Sequence, residues 1–271
     1  MRNVLRISPF LLVLIAPLLL SCDDLFQYNP NQLVFGHDER DINFHNIEKI
    51  LELPEQDTLK FILMGDTQRW YDETEDFVKS ANNQPGVSFV IHAGDISDFG
   101  LTAEFKWVHE IMTRLKYPYV TAMGNHDKIA NGLAAYRKMY GPPDYSFEFS
   151  GHKFIFVNTN SREYAFDGTV PDVNWLRGQV ADNPGNKDAI VIAHIPPYAA
   201  DFDPNLEQTY AKILGDDPNV KMSLYGHNHS FSDGEYYNDG VHYFVTTTVG
   251  ARGYMLVTVW KGGYDVQRVE F

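Results

Sequence analysis

The chain predicts an α/β fold in which parallel strands end in polar motifs and antiparallel strands complete the sheets. Three observations carry this. Short apolar runs at 61–64, 89–91, 119–123, 190–192 and 222–225 alternate with stretches of helical spacing. Each run leads straight into a polar motif: Gly65-Asp66-Thr67-Gln68, Gly94-Asp95-Ile96-Ser97-Asp98, Gly124-Asn125-His126-Asp127, Ala193-His194 and Gly226-His227-Asn228-His229. The tail reads as strand at 241–247, 254–260 and 264–271, and these strands are expected to join the sheets antiparallel.

In chain order, the first segment carries Arg2 and Arg6, an apolar run from Phe10 to Leu20, and then Ser21-Cys22. A basic start, a short apolar core and small residues at the end describe a secretory signal peptide. The run is too short for a mature transmembrane helix. Cys22 is the only cysteine in the chain, and its place resembles a bacterial lipobox, in which the cysteine is lipidated and becomes residue one. Residues 1–21 are therefore expected to be a lipoprotein signal peptide, and Cys22 a membrane anchor at the bacterial cell envelope, periplasmic or at the cell surface. Residues 22–56 read as tether and lead-in; Phe26, Tyr28, Phe35 and Phe44 suggest that part of it packs on the body. His37 and His45 read there as exposed histidines. Residues 57–271 form the functional domain.

Within that domain a helix is expected over 72–81, with Asp72 as its N-cap. A second covers 102–115, capped by Thr102, with Phe105, Val108, Ile111, Met112 and Leu115 on one face. Further helices are expected at 133–140, at 173–180 after Pro171-Asp172, and at 206–214. Segments 145–149 and 153–158 flank Ser150-Gly151-His152 and read as a hairpin. Strand, loop and helix in alternation give βαβ units, whose ligands sit at the carboxyl ends of the strands.

The chain has 271 residues, 44% of them apolar, which is ample for a core. Its formal charge of −14 argues against a nucleic-acid scaffold, since phosphate backbones call for a basic stripe. A small phosphorylated substrate remains compatible, because bound metal ions dominate their local field. Asp, Asn and His gathered at strand ends are the donors that a pair of divalent metals takes.

Taken together, Asp66, Asp95, Asn125-His126, His194 and His227-Asn228-His229 resemble the calcineurin-like metallophosphoesterases, from about Leu59 to Phe271, here in a bacterial lipoprotein form. The resemblance implies a four-layer αββα sandwich with two facing mixed β-sheets and a dinuclear site of Mn, Fe or Zn. It implies that Asp95 bridges the two metals, that Asp66 and His229 bind the first, and that Asn125, His194 and His227 bind the second. It further implies hydrolysis of a phosphomonoester or phosphodiester by a metal-bridging hydroxide. His126 would then act as leaving-group acid, with Asp98 orienting it by accepting its other N–H.

One motif departs from the family pattern, which has His where this chain has Gln68. Three accounts stay open: Gln68 ligates through its amide oxygen, Asp98 takes the place in the way a Tyr does in purple acid phosphatases, or the first metal is weakly held. The departure also motivates a rival reading, a phosphate-ligand binding or surface-interaction lipoprotein with a weakened metal site. Arg69 directly follows the first motif and Tyr198 follows His194-Ile195-Pro196-Pro197, so both are candidate substrate contacts; Arg162 lies in a loop that the resemblance places near the rim, and Arg252, in Gly250-Ala251-Arg252-Gly253, is a candidate phosphate anchor. His92, His109, His152 and His242 read as satisfied core histidines rather than ligands.

Overall fold

The structure, a computed structural model, describes residues 29–185 and 187–271. Cys22 and the expected signal peptide lie outside the described residues. Strands β1 (Thr58–Met64), β2 (Phe89–His92) and β3 (Tyr119–Thr121) pair parallel. With β10 (Gly253–Trp260) and β11 (Gly263–Glu270) they form a five-stranded sheet of order β11-β10-β1-β2-β3, in which the last two strands run antiparallel. With β8 at Ser232–Gly234 and β9 at His242–Val245, the second sheet has six strands, in the order β4-β5-β6-β7-β9-β8. In it β4 (Tyr145–Phe149) and β5 (His152–Phe156) make the expected hairpin, and β6 (Asp188–Ile192) and β7 (Val220–Tyr225) extend it in parallel.

Alternation along the strands builds the layers. Phe61 and Leu63 of β1 face the second sheet and pack with Phe154, Phe156, Ile190 and Leu224. The Phe61 ring stacks 5.3 Å from Phe89 and meets Phe154 edge-on at 5.7 Å, so aromatic contacts join the two sheets. Ile62 and Met64 face the other way, toward α2 (Tyr71–Ala81), α3 (Thr102–Met112) and α4 (Gly132–Met139). Across the second sheet, Ile155, Val191 and Val245 pack on α5 (Val173–Ala181) and α6 (Glu207–Gly215). Helix, sheet, sheet and helix layers result, as the resemblance implied.

Several local readings differ. Helix α1 (Ile42–Leu51) stands in the lead-in, where little periodicity was visible. Its buried face mixes Ile42 and Ile50 with Asn43 and Asn46. Asn43 exchanges hydrogen bonds with the Thr121 N–H (2.9 Å) and carbonyl (3.2 Å), and Asn46 Nδ2 donates to Tyr119 O at 2.7 Å. The asparagines thus satisfy the open edge of β3, a task for polar rather than apolar side chains. Asp72 is not a cap: α2 starts one residue earlier, with Trp70 before it. Thr102 is the first residue of α3, and the Glu104 carboxylate caps that end by accepting from Phe99 and Leu101 N–H. In the tail, β9 (His242–Val245) pairs parallel with β7, not antiparallel; the short β8 (Ser232–Gly234) supplies the antiparallel neighbour. Among the described residues, no helix is long and apolar enough to cross a membrane.

Candidate metal centre

The motif residues leave the carboxyl ends of β1, β2, β3, β6 and β7, so both sheets contribute to one place. The exits are strained. Asp66 (φ 56°), Arg69 (62°), Asp95 (58°), His227 (70°) and His229 (57°) all adopt the left-handed conformation that non-glycine residues avoid. Such strain collects where function fixes the backbone. The loops also touch: Asp66 N–H donates to Gly94 O at 2.9 Å, and Thr67 and Gln68 N–H donate to Asp95 O at 3.0 and 3.2 Å. This closeness requires the glycines. A Cβ on Gly94 would lie 2.7 Å from Gly124 N and 2.8 Å from His194 Nδ1, and one on Gly124 would collide with Asp95.

Two overlapping groups of donors form. In the first, Asp66, Asp95 and His229 bring ligand atoms within 4.8 Å of one another, and His229 Nε2 lies 3.2 Å from Asp66 Oδ1. Gln68 Nε2 donates to Asp95 Oδ2 at 3.2 Å, while its buried Oε1 has no hydrogen-bond partner among the described residues. In the second, His194 Nε2 lies 3.3 Å from Asp95 Oδ2 and 3.1 Å from Asn125 Oδ1, and His227 Nδ1 lies 3.1 Å from the same Asn125 oxygen. His194 Nδ1 lies 2.7 Å from Ala93 O, so its N–H donates there and Nε2 turns to the carboxylate and amide oxygens.

Electrostatics fit a cation here. Burial disfavours charge on Asp95, yet His194 and His126 hold its carboxyl down to about 2. Burial likewise disfavours charge on His194, but Asp95 and Asp66 push it up to about 10. Burial and the neighbouring His194 bring His227 down to about 4. The pocket thus stabilises positive charge, which a proton on His194 supplies in competition with a metal; metal binding must release that proton. Two carboxylates, an amide oxygen and imidazole nitrogens form a mixed O/N donor set suited to borderline divalent ions, and the orphaned Gln68 oxygen marks an unfilled valence in the first group.

His126 stands beside these donors, not among them. Its backbone N–H donates to Asp95 Oδ1 at 2.9 Å, and its Nδ1 donates to Asp98 O at 2.8 Å, which leaves Nε2 free. This corrects the expected role of Asp98. The histidine is oriented by the Asp98 backbone carbonyl; the carboxylate is 3.5 Å from Nδ1 and is engaged at 2.5 Å by Arg69 Nη2. With its carboxylate turned to Arg69, Asp98 stands apart from the group of Asp66, Asp95 and His229.

The candidate substrate contacts divide. Arg69 keeps a largely exposed guanidinium beside the site while pairing with Asp98. Arg162 pairs with Asp201 at 2.9 Å. Tyr198 packs on Tyr236, ring centres 4.1 Å apart. Arg252 is corrected: its guanidinium pairs with Asp76 at 3.0 Å and donates to Phe271 O at 2.8 Å, so it ties the chain end to α2 rather than anchoring phosphate. His92 is the expected core histidine, accepting from Gly94 N–H at Nδ1 and facing Thr67 Oγ1 at 2.9 Å through Nε2. His152 is buried with Nδ1 unpartnered among the described residues, and His109 and His242 are only half-buried, bonded to Tyr119 and Asp233.

Two positioning residues were missed. Asp127 is fully buried and accepts from Ile96 N–H (2.9 Å), Ser97 N–H (2.8 Å) and Gly124 N–H (2.8 Å), stapling the second motif to the third. Burial and the Asp95 charge raise its carboxyl to about 7. Its signal was available, an acid directly after His126 in a strand-end motif. Asp201 lies 3.4 Å from His227 Nε2, a carboxylate placed to orient that imidazole; nothing local in the sequence marks it.

Facing sheets whose strand ends gather carboxylate, amide and imidazole donors around shared points define a metallophosphoesterase-type fold. The chain belongs to the calcineurin-like phosphoesterase family, whose model matches residues 59–231. It is 26% identical over 162 residues to a glycerophosphodiester phosphodiesterase of Enterobacter lignolyticus, covering 54% of this chain and 58% of the relative. It is 27% identical over 161 residues to a probable cyclic nucleotide phosphodiesterase of Coxiella burnetii, covering 56% and 63%. A third relative, a Bacillus subtilis protein 23% identical over 205 residues, is matched over 65% of this chain and 16% of its own length, so the chain spans less than two thirds of each of the three. A dimetal phosphatase from Danio rerio superposes with a TM-score of 0.63 at 12% identity, over 79% of this chain and 99% of that one, a likeness of fold.

Proposed function

We propose that the protein is a hydrolase of phosphoesters that works with two divalent metals, Mn, Fe or Zn, and prefers diesters. The convergence of Asp66, Asp95, Asn125, His194, His227 and His229, with His126 poised beside them, carries this reading. Asp66, Asp95, His229 and Gln68 would hold one ion; Asp95, Asn125, His194 and His227 would hold the other. When bound, such ions supply Lewis acidity toward the phosphoryl oxygens and water activated at neutral pH. The protein's own part is positional. The Asp98 carbonyl holds His126 through Nδ1, Asp127 keeps the second and third loops in register, and Asp201 steadies His227. His126 would protonate the departing oxygen. The names of two of the three curated relatives point to phosphodiesters, which supports the preference. A panel of mono- and diesters, including bis-p-nitrophenyl phosphate with added Mn²⁺, together with metal analysis, tests it. Absence of turnover across the panel in metal-loaded protein would favour the binding-protein alternative.

Gln68 is expected to make the first position the weaker one, since an amide oxygen is a poorer donor than imidazole for borderline metals. Purified protein should carry less than two equivalents of metal, and Mn²⁺ should restore both content and activity. Gln68→His should raise resistance to chelators. Full occupancy that Gln68→Ala leaves untouched would remove Gln68 from the site.

We further propose that Cys22 anchors the protein to a bacterial envelope membrane. Cys22→Ser should shift it out of the membrane fraction or block its maturation. A wild-type protein found wholly soluble, beginning at another residue, would overturn the anchor.

A further inference from the structure

We infer that the mouth of the site binds the apolar body of the leaving alcohol, so that the preferred substrates are phosphoesters of extended apolar alcohols, not of small polar ones. The inference rests on the hydrolase reading above. Three large apolar side chains remain exposed on the second and third motif loops and on the segment docked beside them: Phe99 at 57%, Ile129 at 40% and Phe166 at 38%; Trp70 turns its ring onto Gly250 instead. Grouped exposed apolar residues mark interaction surfaces, whereas scattered ones need no explanation.

Their grouping centres on His126. Phe99 follows Asp98, whose carbonyl holds His126 Nδ1. Ile129 ends the turn that His126 begins, and its N–H donates to His126 O at 3.2 Å. The loops of Phe99 and Ile129 touch, for a Cβ on Gly100 would strike the Ile129 carbonyl and lie 3.0 Å from Gly132 Cα. Lys128, in the same turn, donates to Glu163 O and places Nζ 3.5 Å from the Tyr164 ring centre, docking the Phe166 segment alongside. Ala165 and Phe166 are both left-handed, φ 54° each, a costly pair of conformations for non-glycine residues. From the first loop, Arg69 bridges its guanidinium to Asp98.

The chemistry follows from His126's role. An acid that protonates the leaving oxygen must lie beside the carbon atoms attached to it. The exposed side chains on the segments that flank His126 are Phe99, Ile129 and Phe166, so the carbon atoms of the leaving group have apolar neighbours to meet there. A glyceryl or sugar group gains nothing from such neighbours; an alkyl chain or an aromatic ring is removed from water by them.

The test uses wild-type protein loaded with Mn²⁺ and matched series of alkyl phosphates and methyl alkyl phosphodiesters from ethyl to octyl, kept monomeric. Glyceryl and 3-phenylpropyl esters serve as polar and aromatic arms. kcat/KM should rise at least about tenfold from ethyl to octyl, with the glyceryl ester near the bottom. The phenylpropyl arm distinguishes aromatic from alkyl bodies as the favoured source. Phe99→Ser and Phe166→Ser should flatten the rise, with metal content and melting temperature as controls for an intact site. A flat series, or a rise that both variants keep, would overturn the inference; so would variants that lose binding to lipid vesicles while the series in solution stays flat. If no ester is turned over at all, the hydrolase reading fails instead. Binding of the matching alkyl phosphonates, followed by tryptophan fluorescence, then decides the rim separately: affinity that rises with chain length supports it, and affinity that does not overturns it.

Discussion

Asp95→Ala should bring phosphoester turnover down to the uncatalysed background, a loss on the order of 10³-fold or more, and strip the protein of metal while it stays folded. Asp95 is the one side chain shared by both donor groups. Its Oδ2 faces Gln68 Nε2 at 3.2 Å and His194 Nε2 at 3.3 Å, and its Oδ1 accepts the His126 N–H at 2.9 Å. Removing it leaves Asp66 and His229 on one side and Asn125, His194 and His227 on the other, with no bridging group. The fold should survive because the three apolar clusters that join sheets and helices do not include this loop carboxylate. Circular dichroism and metal analysis of the purified variant check both halves. Asp95→Asn, which can still accept the His126 N–H but is a poor bridging ligand, guards against a variant that simply misfolds. A variant that keeps two metals and a substantial fraction of wild-type turnover would disprove the shared site.

His126→Ala should lower turnover of alkyl phosphoesters by roughly 10²–10⁴-fold with metal content unchanged. The two outcomes separate because the histidine contributes in two ways. Its backbone N–H, which the substitution keeps, serves Asp95; its imidazole, which the substitution removes, is held by Asp98 O. The loss should shrink for p-nitrophenyl esters, whose leaving group needs little protonation. Asp98→Asn should cost less than His126→Ala, since the carbonyl that orients the ring survives the change. Metal lost from His126→Ala would make the residue a ligand, and a loss equal for good and poor leaving groups would remove the acid role.

The sequence by itself determined the layered architecture and most of the side chains that converge at the strand ends. Its central strands are apolar on both faces, as strands buried between a sheet and helices must be, and the ends of several are punctuated by Gly-Asp, Gly-Asn and Gly-His. Those glycines reflect loops that pack backbone to backbone, a local demand that composition reveals. What the tertiary structure alone decided were matters of partner choice. Helix α1 was hidden because it meets the exposed edge of β3 with Asn43 and Asn46, so its buried face lacks the apolar period. The parallel course of β9 depends on which neighbour it finds, which its own residues do not specify. Arg252 sits in a glycine-flanked turn that reads as a phosphate anchor but is drawn to Asp76 and Phe271, and Asp98 keeps His126 in place through a carbonyl that every residue has. Asp201 reaches His227 across the fold. A side chain's type is written in the chain; the group it faces is set by how distant loops converge, and at this site that convergence assigns the roles.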